Sequence, residues 1–273
     1  MCEKATDAVD DTRLAYADLA DGQIHYASCG DVNAPAVLLL HQTPRSWEEY
    51  RFVLPLLGTR FRAIAMDTIG FGASARPRWA PRIEGWARVA VELLDALAIE
   101  RAHVVGHHTG GVIAVEIAAT RPERVGRLVL SSTPYTDAGF RRQRAQRPPI
   151  DAVTVTPDGS HLTELWQKRQ AFYPEGRPDL LHAFVRDALR VDDPEAGHRA
   201  VASYRMEDAI HAVRAPTLVL RATADPFASP HAPTLARALG DARVVDIDGG
   251  MVPLPDQDPH AFASCIADFL DEI

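Results

Sequence analysis

Chemistry in this chain is concentrated in one stretch, Val104-Val105-Gly106-His107-His108-Thr109-Gly110-Gly111. It follows a short apolar run and opens a helical pattern, so it reads as a sharp turn from a strand into a helix. Glycines frame the turn at positions 106 and 110, where any larger neighbour would meet the adjoining strand and helix. The residue at the strained centre is His108. An imidazole there can serve as a base, taking a proton from water or from a carbon beside a carbonyl. It can also attack directly, giving an acyl-imidazole. Direct attack leaves the same ring without a separate base, so base catalysis is the expected role.

Two other chemistries fit poorly. His41, His107 and His108 do not read as a metal site, because adjacent histidines diverge on a strand or turn and no H-E-x-x-H spacing occurs. A dinucleotide site lacks its fingerprint: Gly70-Phe71-Gly72 has no third glycine, and Gly106-His107-His108 has no second. The expectation is a cofactor-free protein without a metal.

The elements that must position these residues alternate. Strands are predicted at 14–19, 23–28, 36–41, 61–66, 102–106, 127–131, 216–221 and 243–247. The later ones are short, continuous and apolar, as strands buried on both faces of a parallel sheet are. Ala20-Asp21-Gly22 reads as a hairpin turn between the first two. Ser46-Trp47-Glu48-Glu49 fits a capping box. Pro81 precedes a stripe of Ile83, Trp86, Val89, Ala90, Leu93, Leu94 and Leu97. Further helices are predicted at 110–120 and along Phe262, Cys265, Ile266, Phe269 and Leu270. Alternating strands and helices imply right-handed crossovers and a doubly wound, mostly parallel eight-stranded α/β sheet.

Residues 134–212 break the alternation. An arginine-rich helix, a Pro148-Pro149 break and a polar turn at Asp158-Gly159-Ser160 lead into helical patterns at 162–172 and 180–189. The expected organisation is a core domain of residues 1–133 and 213–273, with residues 134–212 inserted as a helical lid.

Composition is ordinary for a globular chain of 273 residues, with 47% hydrophobic and 24% charged residues. No apolar run approaches the ~18 residues of a membrane helix. The acidic start MCEKATDAVDD lacks the order of a signal peptide, which makes the cytoplasm the expected location. Cys2, Cys29 and Cys265 are too scattered for a disulfide framework or a zinc cluster. The net charge of −8 argues against nucleic acid and anionic membrane as partners. The expected partner is a small-molecule substrate, with a homodimer left open. Of 29 basic residues only Lys4 and Lys168 are lysine, leaving 27 arginines spread along the chain. The densest group, Arg141, Arg142, Arg144 and Arg147, reads as a solvated helix face.

Over nearly its whole length the chain resembles the α/β-hydrolase fold family. Gly106-His107-His108-Thr109-Gly110 resembles the nucleophile elbow, G-x-S-x-G. His41-Gln42-Thr43-Pro44 is similar to the HG-x-P loop. Asp67-Thr68-Ile69-Gly70-Phe71-Gly72-Ala73-Ser74 is similar to the D-x-x-G-x-G-x-S turn. Ala222-Thr223-Ala224-Asp225-Pro226 resembles the acid-bearing G-x-x-D-P turn, and Gly249-Gly250-Met251-Val252-Pro253-Leu254 the G-G-H-x-P-x turn. The matches follow the family's order and spacing.

The departures carry as much weight. The nucleophile position holds His108, and the catalytic-histidine position holds Met251. Only Asp225 matches the usual triad, so a Ser-His-Asp relay is not available. The two replacements read as one change: an imidazole lost at 251 leaves room for an imidazole at 108, which predicts that His108 reaches Asp225 directly or through water. The resemblance implies an oxyanion hole of the Thr43 and Thr109 backbone N–H groups. It implies a structural role for His107, and for His41 a hydrogen bond to backbone. Gln42, His41, Trp166, Tyr173 and Met251 are the residues expected around the substrate. Phe172, Tyr204, His161, Arg169 and His198 are further candidates on the lid.

Three functions remain open at this point. Hydrolysis of a small ester, lactone or similar carbonyl compound is implied by the family. Lyase or isomerase chemistry beside a carbonyl is a close second, suggested by the lone base. A non-catalytic small-molecule receptor would keep the pocket and lose the reaction.

Overall fold

The computed structural model describes residues 12–240 and 242–272; Cys2 and the acidic start lie outside them. The strands are β1 (Arg13–Leu19), β2 (Gly22–Cys29), β3 (Ala36–Leu40), β4 (Arg62–Met66), β5 (Ala102–His107), β6 (Val125–Ser131), β7 (Thr217–Ala222) and β8 (Ala242–Ile247). They form one sheet in the order β1-β2-β4-β3-β5-β6-β7-β8. β1 and β2 run antiparallel to their neighbours, and all other pairs are parallel. Each strand lies within about two residues of its expected span.

Helices cover both faces. On one face lie α2 (Ile83–Ala96) and α3 (Thr109–Thr120); on the other lie α1 (Val53–Gly58) and α11 (Pro259–Leu270). The central strands divide their side chains between the two layers. Leu38, Leu40, Val104, Leu128 and Leu130 pack with the first, while Val37, Leu39, Val105 and Val129 pack with the second. This alternation is what period-two side chains require of a sheet buried twice. Each such leucine contributes roughly 1.5–3 kcal/mol by burial.

The connection from β6 to β7 carries α4 (Ala138–Ala145), α5 (Ser160–Gln170), α6 (Pro178–Ala188), α7 (Ala196–Ser203) and α8 (Met206–Ala209). It has a small core of its own, built on Leu165, Tyr173, Leu180, Leu181, Phe184 and Ala188. After β7 come α9 (Ala232–Ala238), β8 and α10 (Leu254–Gln257). No helix among the described residues is long and apolar enough to cross a membrane.

Two sequence expectations are corrected here. The capping box at 46–49 does not close. Ser46 Oγ accepts from Glu48 N–H, but the element is a 3₁₀ turn, Trp47–Tyr50, and the Glu49 carboxylate accepts from Gln42 instead. The arginine group on α4 is also not simply a solvated face. Arg141 holds Glu207 through two hydrogen bonds of 2.8 and 2.5 Å, and Arg144 and Arg147 line a cavity.

Candidate functional site

The parallel strands deliver the chemistry at their C-terminal ends. After β3 the chain goes to one side of the sheet for β4, and β5 lies on the other side. The loops leaving β3 and β5 therefore diverge, and a crevice opens between them. Residues 41–45 leave β3, 107–109 leave β5, 132–134 leave β6 and 223–228 leave β7.

His108 alone makes the turn between β5 and α3. Its φ of 47° and ψ of −111° are rare for a residue with a side chain. Such geometry costs on the order of 1–3 kcal/mol and persists where the surroundings impose it. Here they do. His108 N–H donates to Ser131 O at 3.0 Å, and its carbonyl accepts from Gly111 and Val112 N–H. The flanking glycines permit the approach: a Cβ on Gly106 would lie 2.2 Å from Gly110 O, and one on Gly110 would lie 1.9 Å from Leu40 O.

The adjacent histidines have opposite surroundings. His107 is fully buried; its Nε2 lies 2.8 Å from Val252 O and its Nδ1 2.9 Å from Ser131 Oγ. A carbonyl only accepts, so Nε2 carries the proton and Nδ1 accepts from the serine. Burial, together with the neighbouring His108, lowers its pKa to about 3, so the ring stays neutral. His41 is used in the same way. Its Nδ1 donates to Gln42 O at 2.7 Å, and its Nε2 accepts from Thr68 N–H at 3.0 Å.

His108 faces Asp225. Its Nε2 lies 2.8 Å from Asp225 Oδ2, a close polar contact whose angle falls outside hydrogen-bond geometry. The other oxygen, Oδ1, accepts from Phe227 N–H at 2.9 Å and Ala228 N–H at 3.2 Å. Asp225 thus caps its own turn with one oxygen and meets the imidazole with the other. Burial alone would raise its pKa; the His108 charge and these donors outweigh it and hold the carboxyl at about 2.

Thr43 and Thr109 are brought together, their hydroxyls 3.0 Å apart. Beside them Gln42 is fixed on Glu49, its backbone N–H 2.9 Å from Oε2 and its side-chain amide 2.5 Å from Oε1. Sequence reasoning missed what stands behind this. Arg45 is fully buried, with Nε 2.9 Å from Asp187 on α6, a terminal nitrogen 2.8 Å from Asp256 on α10, and Glu49 at 3.8 Å. Burial raises the Glu49 pKa to about 7, despite the Arg45 charge and the Gln42 hydrogen bonds. Four such residues, scattered over the sequence from 45 to 256, leave no local signal.

A cavity of about 600 Å³ opens on His108 and Gln42. Sheet loops supply Pro134, Pro226, Phe227 and Val252, and the β6–β7 segment supplies Phe140, Ile150 and Phe172. The Phe172 and Phe227 rings stand 4.5 Å apart between centroids. No serine, threonine, cysteine or tyrosine lines it among the described residues. Of the residues expected around the substrate, only Gln42 lines this cavity. Trp166, Tyr173 and Met251 line a separate depression, and His41 lies buried beneath the loop. Arg169, His198 and Phe172 do reach the cavity, whereas Tyr204 anchors α7 to Glu116 on α3, and His161 closes the turn at Thr156.

One group in the segment has metal-ligand types: Asp151, Glu195 and His198. Arg169 already donates to both Asp151 oxygens at 2.5 Å, and His198 lies 2.7 Å from one of them. A guanidinium therefore supplies the positive charge there.

The chain belongs to the alpha/beta hydrolase fold family, whose model matches residues 35–256. It is 38% identical over 129 residues to haloalkane dehalogenase 2 of Mycobacterium tuberculosis, covering 47% of this chain and 44% of that protein. It is 36% identical over 161 residues to 2-hydroxymuconate semialdehyde hydrolase of Pseudomonas sp. CF600, covering 59% of this chain and 50% of that one. The chain thus spans about half the length of the curated relatives it matches. Among solved structures, the enol-lactonase from Burkholderia xenovorans LB400 superposes with a TM-score of 0.78 at 22% identity, covering 94% of this chain and all of that one. A hydrolase from Pseudomonas aeruginosa PA01 gives 0.79 at 22% identity, with 95% and 99% covered. At that identity the likeness is one of fold.

Proposed function

We propose that this chain is a cofactor-free hydrolase of small organic carbonyl compounds, esters or lactones, in which His108 is a general base at the position where the family carries its nucleophile. One observation carries the reading: His108 meets a buried carboxylate on one side and the cavity on the other. Nε2 stands 2.8 Å from the Asp225 carboxylate, which favours the proton on that nitrogen and leaves Nδ1 as the base. It takes a proton from water as the hydroxyl oxygen attacks the carbonyl carbon. The donors that the family resemblance implies for the developing oxyanion are the N–H groups of Thr43 and Thr109, which follow the lining residues Gln42 and His108 in the chain and do not themselves line the cavity. Collapse breaks the bond to the leaving oxygen, which takes the proton back from the imidazolium. The relatives' names support water as the second reactant, and a lining without hydroxyl or thiol side chains among the described residues favours this route over an acyl-enzyme on serine. In this reading residues 134–212 are a lid that closes the cavity over the sheet. A cytoplasmic location belongs to it as well, supported by a cysteine count too low for a disulfide framework.

The experiment is hydrolysis of 4-nitrophenyl acetate and of γ-butyrolactone by the wild type and by His108→Ala. The expected loss in the variant is about 10²–10⁴-fold in kcat. Unchanged turnover in the variant rules the reading out. The same base would also serve proton transfer beside a carbonyl. Deuterium uptake into a ketone, with no ester turnover, would assign that chemistry instead.

A further inference from the structure

The ionisable side chains lining the cavity are all of basic type, three arginines and three histidines. They are His108, Arg144, Arg147, Arg169, His198 and His231, and no aspartate or glutamate among the described residues lines it. This runs against the chain as a whole, which has 37 acidic and 29 basic residues. The carboxylates that hold the wall stand behind it. Asp151 orients Arg169 and His198, Asp225 meets His108, and Glu195 lies 3.6 Å from Arg144; none of the three lines the cavity. Arg144 also donates to Arg147 O at 3.1 Å and Pro148 O at 2.9 Å, which fixes the loop that carries Arg147. Arg147 is exposed at the rim, with no carboxylate in ion-pair distance among the described residues. The rest of the wall is apolar, with phenylalanines and prolines from both sides.

Resting on the reading of His108 as the reacting base, we propose that the substrate is itself an anion: a carboxylate on an apolar body, met by Arg147 and Arg144 from the β6–β7 segment while the carbonyl is met from the sheet. Guanidinium–carboxylate hydrogen bonds are about twice as strong as neutral ones. A volume of about 600 Å³ suits a small organic acid. The arginines give the anion one orientation, and the phenylalanine pair takes the apolar body.

The test compares two matched ligands, 4-phenylbutyrate and 4-phenylbutyramide, by calorimetry on the full chain. The expected result is at least about tenfold tighter binding of the carboxylate. Arg147→Gln and Arg144→Gln should each reduce that preference to about threefold or less, leaving amide binding unchanged. Equal affinity for the two ligands overturns the proposal. So does a preference that survives both substitutions, or no carboxylate binding up to about 10 mM. Binding is read without turnover, so the two readings fail separately. Carboxylate selectivity with no ester hydrolysis removes the catalytic assignment alone. Turnover of 4-nitrophenyl acetate without carboxylate selectivity removes this one alone.

Discussion

Two polar centres lie side by side at the C-terminal end of the sheet, and they are built on opposite plans. Around Arg45 one buried cation faces three carboxylates, and every element it touches is closed. Around His108 one imidazole faces one carboxylate and opens on a cavity with a basic wall. Both join the sheet to other parts of the fold. Burial of charge therefore does not separate the two centres; what distinguishes the proposed reactive one is an opening beside a rigidly held but incompletely used side chain. The Arg45 centre is a structural fastening, tying the β3 loop to α6 and α10.

That contrast can be broken by mutation. Arg45→Met leaves Glu49, Asp187 and Asp256 without their shared cation, and the expected loss is about 3–5 kcal/mol of stability in urea unfolding. A loss under about 1 kcal/mol would mean that the centre is no fastening. A smaller effect comes from Glu49. Its folded pKa of about 7 lies above the ordinary 4.5, so the folded state binds the extra proton between those values. Its contribution to stability is therefore full below about pH 4.5 and falls as pH rises to about 7, by about 3 kcal/mol. His107 slopes the other way, since a buried ring with a pKa of about 3 against 6.5 loses stability as pH falls through that window. Subtracting the pH profile of Glu49→Gln from the wild type isolates the first slope; identical profiles would refute it. The smallest effect is expected at His108. His108→Gly relieves a strained φ, while the Asp225 oxygen that loses its partner gains access to water from the cavity, so stability should fall by about 1–2 kcal/mol. A shift as large as that of Arg45→Met would erase the distinction between the two centres.

The sheet was legible because its evidence is local. Each strand is a short apolar run, and the glycines at 106 and 110 announce a turn that the structure places between β5 and α3. The proximity of His108 to Asp225 was legible for a different reason: two departures from one motif pattern pointed at each other. What stayed hidden is long-range. Arg45 meets Asp187 and Asp256, partners 142 and 211 positions away, and no spacing rule encodes that. The cavity wall was misread where composition replaced geometry. Arg144 and Arg147 share an arginine-rich run with Arg141 and Arg142, and only the fold decides which of them look inward. Trp166 and Tyr173 were drawn to the substrate by ring type, yet Tyr173 packs in the segment's own core and Trp166 against it.

The turn at His108 has a consequence for how such a protein changes its chemistry. Its shape is set by neighbours: the carbonyl of Ser131, the first amides of α3 and the missing side chains of Gly106 and Gly110. None of those contacts involves the imidazole. The backbone there behaves as a socket, presenting whatever side chain it is given at one point in space. A different side chain can then be set at this point without rebuilding the turn, and the Asp225 carboxylate, in the loop after the next strand but one, stands within reach of it.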